Sequence, residues 1–341
     1  MSTAPLRLGF VGAGGNTTAR HLPGFHVLEN VSCRAVANRT RASGERVAAA
    51  FGIARVETDW RAVVEAADVD AVCIGTWPDL HAEVTCAALA AGKHVLCEAR
   101  MDATLAGAER MMAASSLCPE RVAQLVPAPH TLAVDDLVQA WLAADYGGEL
   151  RSVEVWHEHG DYANPLAPIS WRLQQRHSGV NMLTLGIFYE VLLRWLDADA
   201  EVTSARGVIA TARRPDAEGG EAAVDLPEAV EVQGVFPTLG GVTLRMVHSG
   251  LAPTPRMEIR LCGARADLRW DGRRGAVDTR PAGADDSAWS PLGSAGADAW
   301  RVERDFVASV RDDEPVRRTD FATGLRYMRF TDAAWRSLGW A

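Results

Sequence analysis

Apolar and polar positions follow two different grammars along this chain. In the first third, short and nearly continuous apolar runs at 6–11, 33–37, 71–76, 94–97 and 121–126 alternate with segments of helical period at 41–51, 59–67, 81–91 and 103–117, and a short strand is expected at 54–56. Continuous apolar strands separated by helices predict an α/β domain, a doubly wound parallel sheet buried on both faces. Pro127 and Pro129 break the pattern, so the first domain is expected to span 1–127.

From there the period changes. After a helix at 135–144, alternating segments at 151–157, 202–211, 229–236, 242–248, 257–262 and 266–270 follow one another through Gly/Pro turns, with one long helix at 181–196. Successive strands without intervening helices predict an α+β domain over 128–341, with a mostly antiparallel open sheet. Segments 213–225 and 280–296 are rich in Gly, Asp, Ala and Pro and are expected to be surface loops. Two helices, 298–311 and 320–338, close the chain and are expected to pack back on the first domain. An apolar outer face on that sheet would favour a homodimer or homotetramer.

Composition narrows the field. With 341 residues, 48% of them hydrophobic, two cores are affordable. A net charge of -9 and the absence of a basic cluster argue against nucleic acid or an anionic membrane as partner. Neither a basic leader nor a 20-residue apolar run is present, so a cytoplasmic protein is expected. The cysteines at 33, 73, 86, 97, 118 and 262 are scattered and read as small buried hydrophobes. His157 and His159 alternate without a third ligand at useful spacing, so no metal site is expected. Lys93 is the sole lysine, which leaves one candidate for any lysine-dependent chemistry.

The first apolar strand runs into GAGGNTTARHLPGF. Gly12, Gly14, Gly15 and Asn16 before a helix fit a dinucleotide-binding turn, where missing side chains admit a pyrophosphate to the helix N-terminus. Thr17 stands where the third glycine of G-x-G-x-x-G is usual. After the next strand the chain reads Asn38-Arg39-Thr40-Arg41 where Asp or Glu commonly holds the ribose. A neutral Asn38 beside Arg39 tolerates a 2′-phosphate, so NADP is expected at least as readily as NAD. The ends of the strands 71–76 and 94–97 place further chemistry at Thr76, Trp77, Pro78 and His81 and from Glu98 to Arg100, because open α/β sheets present ligands at their carboxyl ends.

These features together resemble the glucose-fructose oxidoreductase, inositol dehydrogenase and MocA (Gfo/Idh/MocA) family: G12-A-G14 with H21-L-P23, D70-A-V, P78-x-x-H81, A91-G-K-H-V95 leading to Glu98, W171-R172, and the helix containing Gly186. The resemblance implies an NAD(P)-binding Rossmann domain and a substrate-binding, oligomer-forming second domain acting on sugars, inositols or related polyols. It also implies that the loop from Thr76 to His81 packs along the cofactor, that Glu98 approaches the nicotinamide ribose, and that Arg172 lies near the substrate or a cofactor phosphate.

The departures are as informative. The family's Glu-Lys-Pro is here Glu98-Ala99-Arg100, and its D-x-G-x-H is Thr184-Leu185-Gly186-Ile187-Phe188. The usual proton-handling lysine, aspartate and histidine are therefore absent, although general acid/base help is worth about 10²- to 10⁴-fold. Replacement candidates are Arg100 after Glu98, His177, Asn181 and Thr184 around the start of the long helix, and His159 and Tyr162 in the group from His157 to Tyr162. Three readings follow: an oxidoreductase with a non-standard proton relay, a redox-neutral lyase or hydrolase that uses bound NAD(P) transiently, and a catalytically silent nucleotide- or sugar-binding protein.

Overall fold

The computed structural model describes residues 4–217, 219–294 and 299–340. The chain divides into two compact units, Met1–Pro127 with Arg301–Met328, and Ala128–Trp300 with Arg329–Ala341.

In the first unit, β1 (Leu6–Val11), β2 (Val31–Ala37), β3 (Arg55–Glu57), β4 (Ala71–Ile74), β5 (His94–Cys97) and β6 (Ala123–Leu125) form one parallel sheet in the order β3-β2-β1-β4-β5-β6. Phe10, Val36, Val72, Ile74, Val95 and Leu96 are fully buried, as strands covered on both faces require. A π-helical turn (Thr17–His21) runs into α1 (Leu22–His26), and α2 (Arg41–Phe51), α3 (Arg61–Val64), α4 (His81–Ala90) and α5 (Leu105–Leu117) make the remaining crossovers. Thr40 caps α2 by accepting from the Ser43 N–H, and Thr104 caps α5 by accepting from Gly107. Gly92 takes φ +71° to turn the chain from α4 into β5. The strand order reverses between β1 and β4, so the glycine turn after β1 sits where such sheets bind ligands.

The helix expected over 59–67 is only the short α3. Lys93 Nζ donates to the carbonyls of Ala66 and Val69, so these groups are satisfied outside any helix as the chain turns into β4. Lys93 lies at the start of β5, the end opposite Glu98.

The second unit begins with α6 (Asp135–Ala143) and β7 (Leu150–Glu158), then α7 (Gln175–Ser178) and α8 (Leu185–Leu196). Next come β8 (Glu201–Val208), a hairpin of β9 (Arg213–Pro215) and β10 (Glu221–Ala223), β11 (Ala229–Phe236), β12 (Val242–Ser249), β13 (Arg256–Gly263), β14 (Ala266–Asp271), β15 (Ala276–Pro281) and β16 (Ser290–Ser294). Eight strands form an open sheet in the order β16-β15-β14-β13-β7-β12-β11-β8, antiparallel at every junction except β7 with β12. The chain closes with α9 (Val302–Arg311) and α10 (Phe321–Ser337); the expected start of the former at residue 298 lies outside the described residues.

Several expectations need correction. The long helix starts at Leu185 rather than 181, because Leu183 takes φ +47° and Thr184 is a non-helical cap. Segment 213–225 holds a two-stranded hairpin, and 280–296 holds the edge strand β16; short strands carrying Arg, Pro and Gly leave no alternating apolar signal. The outer face of the sheet is charged rather than apolar. Glu231 pairs with Arg245 at 2.8 Å and Arg269 with Asp278 at 2.8 Å, while Arg256 lies 3.5 Å over the Trp156 ring.

Arg214 explains the hairpin. Fully buried, it pairs with Glu228 at 2.5 Å and donates to the carbonyls of Tyr162 (2.5 Å) and Asn164 (2.6 Å), while Glu228 accepts the N–H groups of Ala210 and Thr211. The hairpin is thus a latch on the loop that carries Tyr162. Arg214→Met strands a buried carboxylate and two carbonyls, and urea unfolding should show a loss of about 3–5 kcal/mol; an unchanged midpoint would remove the latch.

Candidate active site

The glycine turn is built for close approach. Gly12 has φ +79°, and a Cβ there would stand 2.6 Å from the Thr76 nitrogen. Its N–H donates to Ala37, and the next N–H, of Ala13, donates to Asn38 Oδ1 at 2.7 Å. Thr17 is accommodated because Gly75 faces it: any side chain at 75 would run into the Thr17 hydroxyl. The room that a third glycine commonly provides comes here from the neighbouring strand. Beyond the turn, a Cβ on Gly15 would meet nothing within 4 Å, and Gly14 is nearly as open. The Thr76 hydroxyl oxygen is buried beside Gly12 with no partner among the described residues. An open glycine cradle with an unsatisfied hydroxyl at its floor fits a dinucleotide phosphate.

Behind the cradle lies a buried charge triad. His21 is fully buried, with Nε2 2.9 Å from Glu98 and Nδ1 2.6 Å from Glu303 on α9. Burial works against its charge, but Glu303 and Glu98 outweigh it and raise His21 to about 9. Burial likewise opposes ionisation of Glu98, yet His21 and Asn16, whose Nδ2 donates to the same carboxylate, hold it below the usual range. The imidazolium thus fixes a carboxylate at the carboxyl end of β5.

The two loops at that edge are pinned together by His81. Fully buried, it reaches the carbonyls of Arg100 (2.9 Å) and Thr76 (3.1 Å), so it ties the loop after β4 to the stretch after β5. Asp102 accepts from Ala82 and Thr104, tying the start of α4 to the stretch after β5. Arg100 is buried in this stretch and Pro78 is buried in the loop, whereas Trp77 is half-buried with the exposed Arg39 guanidinium 5.6 Å from its ring. Glu303 and Asp102 were not legible as site residues: one lies 282 positions from His21, and the other shows only as an Asp-x-Thr helix start.

In the second unit the sheet brings histidines together. His157 and His248 stand in register on β7 and β12, and both place Nδ1 on the Thr184 hydroxyl, at 2.8 and 3.0 Å. Phe188, one turn on, lies against both rings and stacks on His130 with centroids 5.2 Å apart. Burial pushes His157 down to about 4, with His159 and His130 adding to it and Asp161 opposing; burial takes His248 well below its ordinary value. His159 pairs with Asp161 at 3.2 Å and meets the Tyr162 ring edge-on at 5.8 Å. Thr184, His159 and Tyr162 therefore fall in one cluster. His177 is half-buried on α7, Asn181 is buried with Nδ2 donating to Ser178, and Arg172 is exposed over Trp171 at 4.4 Å. His248 and His130 were missed, because a single histidine in a strand or after two prolines carries no local signal. Among the described residues no group of three or more His, Cys, Asp or Glu is placed to hold a metal ion, and no helix is long and apolar enough to cross a membrane.

Residues 6–118 match the model of an oxidoreductase family with an NAD-binding Rossmann fold, GFO_IDH_MocA. The match to this family covers residues 6–118, the stretch from β1 through α5. The inositol 2-dehydrogenase of Klebsiella pneumoniae is 33% identical over 121 residues, 35% of this chain and 36% of that protein. The alignments span between a third and about half of the length of the first curated relatives. Over the whole chain the fold matches an oxidoreductase domain protein from Kribbella flavida (TM-score 0.87, 22% identity, 99% of this chain and 98% of that one). It also matches levoglucosan dehydrogenase in complex with NADH and L-sorbose (TM-score 0.84, 20% identity, 98% and 97%). The glycine cradle, Glu98 and Ala99 all lie within the matched stretch.

The triad makes stability depend on pH. Because folding raises the His21 pKa above its ordinary 6.5, its contribution is complete below about pH 6.5 and is lost as pH rises through about 9. Thermal unfolding should show a midpoint that falls across this window in the wild type. In His21→Gln the fall should flatten; the same slope in both would show that the triad carries no such charge.

Proposed function

We propose that the protein is an NAD(P)-dependent oxidoreductase that interconverts a hydroxyl and a carbonyl on a sugar, inositol or related polyol, with a proton-handling group outside the family's usual lysine, aspartate and histidine. The observation that carries this reading is the glycine cradle at the strand-order switch, with Glu98 fixed beside it by His21 and Asn16. Bound nicotinamide dinucleotide supplies or accepts the hydride. Gly12, Gly14, Gly15, Asn16 and Thr76 would hold its phosphates and adjoining ribose, Glu98 would face the nicotinamide ribose, and Trp77 and Arg39 would border the adenosine end. Asn38 spends its Oδ1 on the turn and brings no negative charge, while Arg39 is exposed; this supports NADP alongside NAD. The dehydrogenase names among the relatives support the substrate class. The second unit carries the candidate proton-handling groups, the cluster of His157, His159, Tyr162, Thr184 and His248, with Arg172 as a substrate-orienting cation. A homodimer or homotetramer belongs to the same reading.

Titration with NADH and NADPH, followed by tryptophan fluorescence, tests the cofactor assignment. Both should bind, NADPH at least as tightly, and Gly12→Val should lose measurable binding, since a branched side chain at φ +79° collides with Thr76. Wild-type protein that binds neither nucleotide overturns the reading. Ala99→Lys tests whether the proton relay has moved. If the cluster has replaced the lysine, turnover of a polyol by the wild type should be measurable and the variant should gain little; a gain of about 10²-fold would mean that the relay is missing rather than relocated.

A further inference from the structure

One hydroxyl bridges two imidazoles in the second unit, and its single proton constrains both. Thr184 Oγ1 lies within hydrogen-bond distance of Nδ1 of His157 and Nδ1 of His248. A threonine hydroxyl donates one hydrogen bond, so it donates to one ring and must accept from the other. The two histidines therefore hold opposite neutral tautomers.

The surroundings select which is which. His248 is fully buried and its Nε2 has no hydrogen-bond partner among the described residues. If His248 accepted from Thr184, that nitrogen would carry an orphaned N–H; if His248 donates, it is a bare lone pair. Buried orphan N–H groups are the rarer and costlier of the two. His248 Nδ1–H then donates to Thr184, and Thr184 donates to His157 Nδ1. His157 keeps its proton on Nε2, which has no partner among the described residues, on a ring that is only half-buried. The other titratable rings against this pair are His130 and His159, and Asp161 lies beside His159. Burial and these neighbouring imidazoles keep His157 and His248 uncharged near neutrality.

We propose that Thr184 locks His157 and His248 in opposite neutral tautomers, so that His157 presents an Nε2–H donor to a carbonyl oxygen of the substrate. This rests on the oxidoreductase reading and adds to it that the site is set to receive the carbonyl form. A neutral imidazole donor polarises a carbonyl without having to surrender its proton. A substrate hydroxyl can also accept from this Nε2–H, but its proton finds no lone pair on His157. The ring therefore favours the carbonyl by polarising it and offers no base for the alcohol. Thr184 and His248 are positioning residues in this scheme.

The experiment is a two-bond ¹H–¹⁵N correlation spectrum of the full chain labelled with ¹⁵N-histidine at pH 7, assigned with His157→Gln and His248→Gln. The expected result is a protonated Nε2 on His157 and a protonated Nδ1 on His248. Thr184→Ser should keep this pattern, and Thr184→Val should lose it, leaving His157 a mixture of tautomers. Identical tautomers, the reverse assignment, a charged His157, or an unchanged pattern in Thr184→Val overturns the lock; should Thr184→Val not fold, the wild-type and Thr184→Ser spectra still decide. Dihydroxyacetone should shift the His157 Nε2 resonance more than glycerol does, and equal shifts, or none from either, overturn the carbonyl assignment. Failure to bind NADH or NADPH in the separate titration overturns the oxidoreductase reading and leaves the tautomer pattern to stand or fall by its spectrum.

Discussion

The close approach of β1 to β4 at Gly12 is the constraint on which the nucleotide end of the molecule depends. The chain leaves β1 at φ +79° with the Thr76 backbone where a side chain would be. That contact leaves the turn open at Gly14 and Gly15, with the N–H groups of Gly12 and Ala13 spent on Ala37 and Asn38, and sets the carboxyl ends of β4 and β5 side by side. Everything at this edge is then fixed relative to the turn: Asn38 closes it from β2, Gly75 makes room for Thr17, and His81 ties the two following loops together.

Electrostatics does at this edge what packing alone cannot. An isolated carboxylate at the end of β5 would be expensive to bury. His21 offsets that cost by remaining charged between Glu98 and Glu303, and so a helix from the far end of the sequence becomes part of the floor of the cradle. The second unit uses the opposite device. Its histidines are crowded together and kept neutral, which leaves tautomer, not charge, as the variable that a single hydroxyl controls. The same residue type serves as a buried cation in one unit and as an oriented dipole in the other, and the nearby carboxylates decide which.

Two positions of the long helix take on a different meaning in this light. Thr184 and Phe188 are non-ionisable, and on sequence alone they read as a relay that was lost. In the fold, Thr184 is the cap of α8 and the bridge between two imidazoles, and Phe188 is the surface on which three histidine rings rest. The titratable groups near this helix stand on β7 and β12, with Thr184 bonded to both. Lys93, the one lysine, is excluded by position: it satisfies two carbonyls at the wrong end of β5.

The sequence by itself determined the parallel sheet, the position of the glycine turn, the strand ends that carry Thr76 and Glu98, and the change to an antiparallel sheet, because apolar periodicity and glycine placement are local consequences of backbone geometry. It did not determine the start of α8, where a positive φ at Leu183 overrides helical period, or the β9–β10 hairpin, which is anchored by a buried ion pair far from any periodic signal. Only the tertiary structure decided which residues meet: Glu303 with His21 across 282 positions, His248 with His157 across a strand pair, and Thr184 with both. Such pairings are set by strand register and helix docking, which join residues far apart in the chain and leave no spacing to read in it.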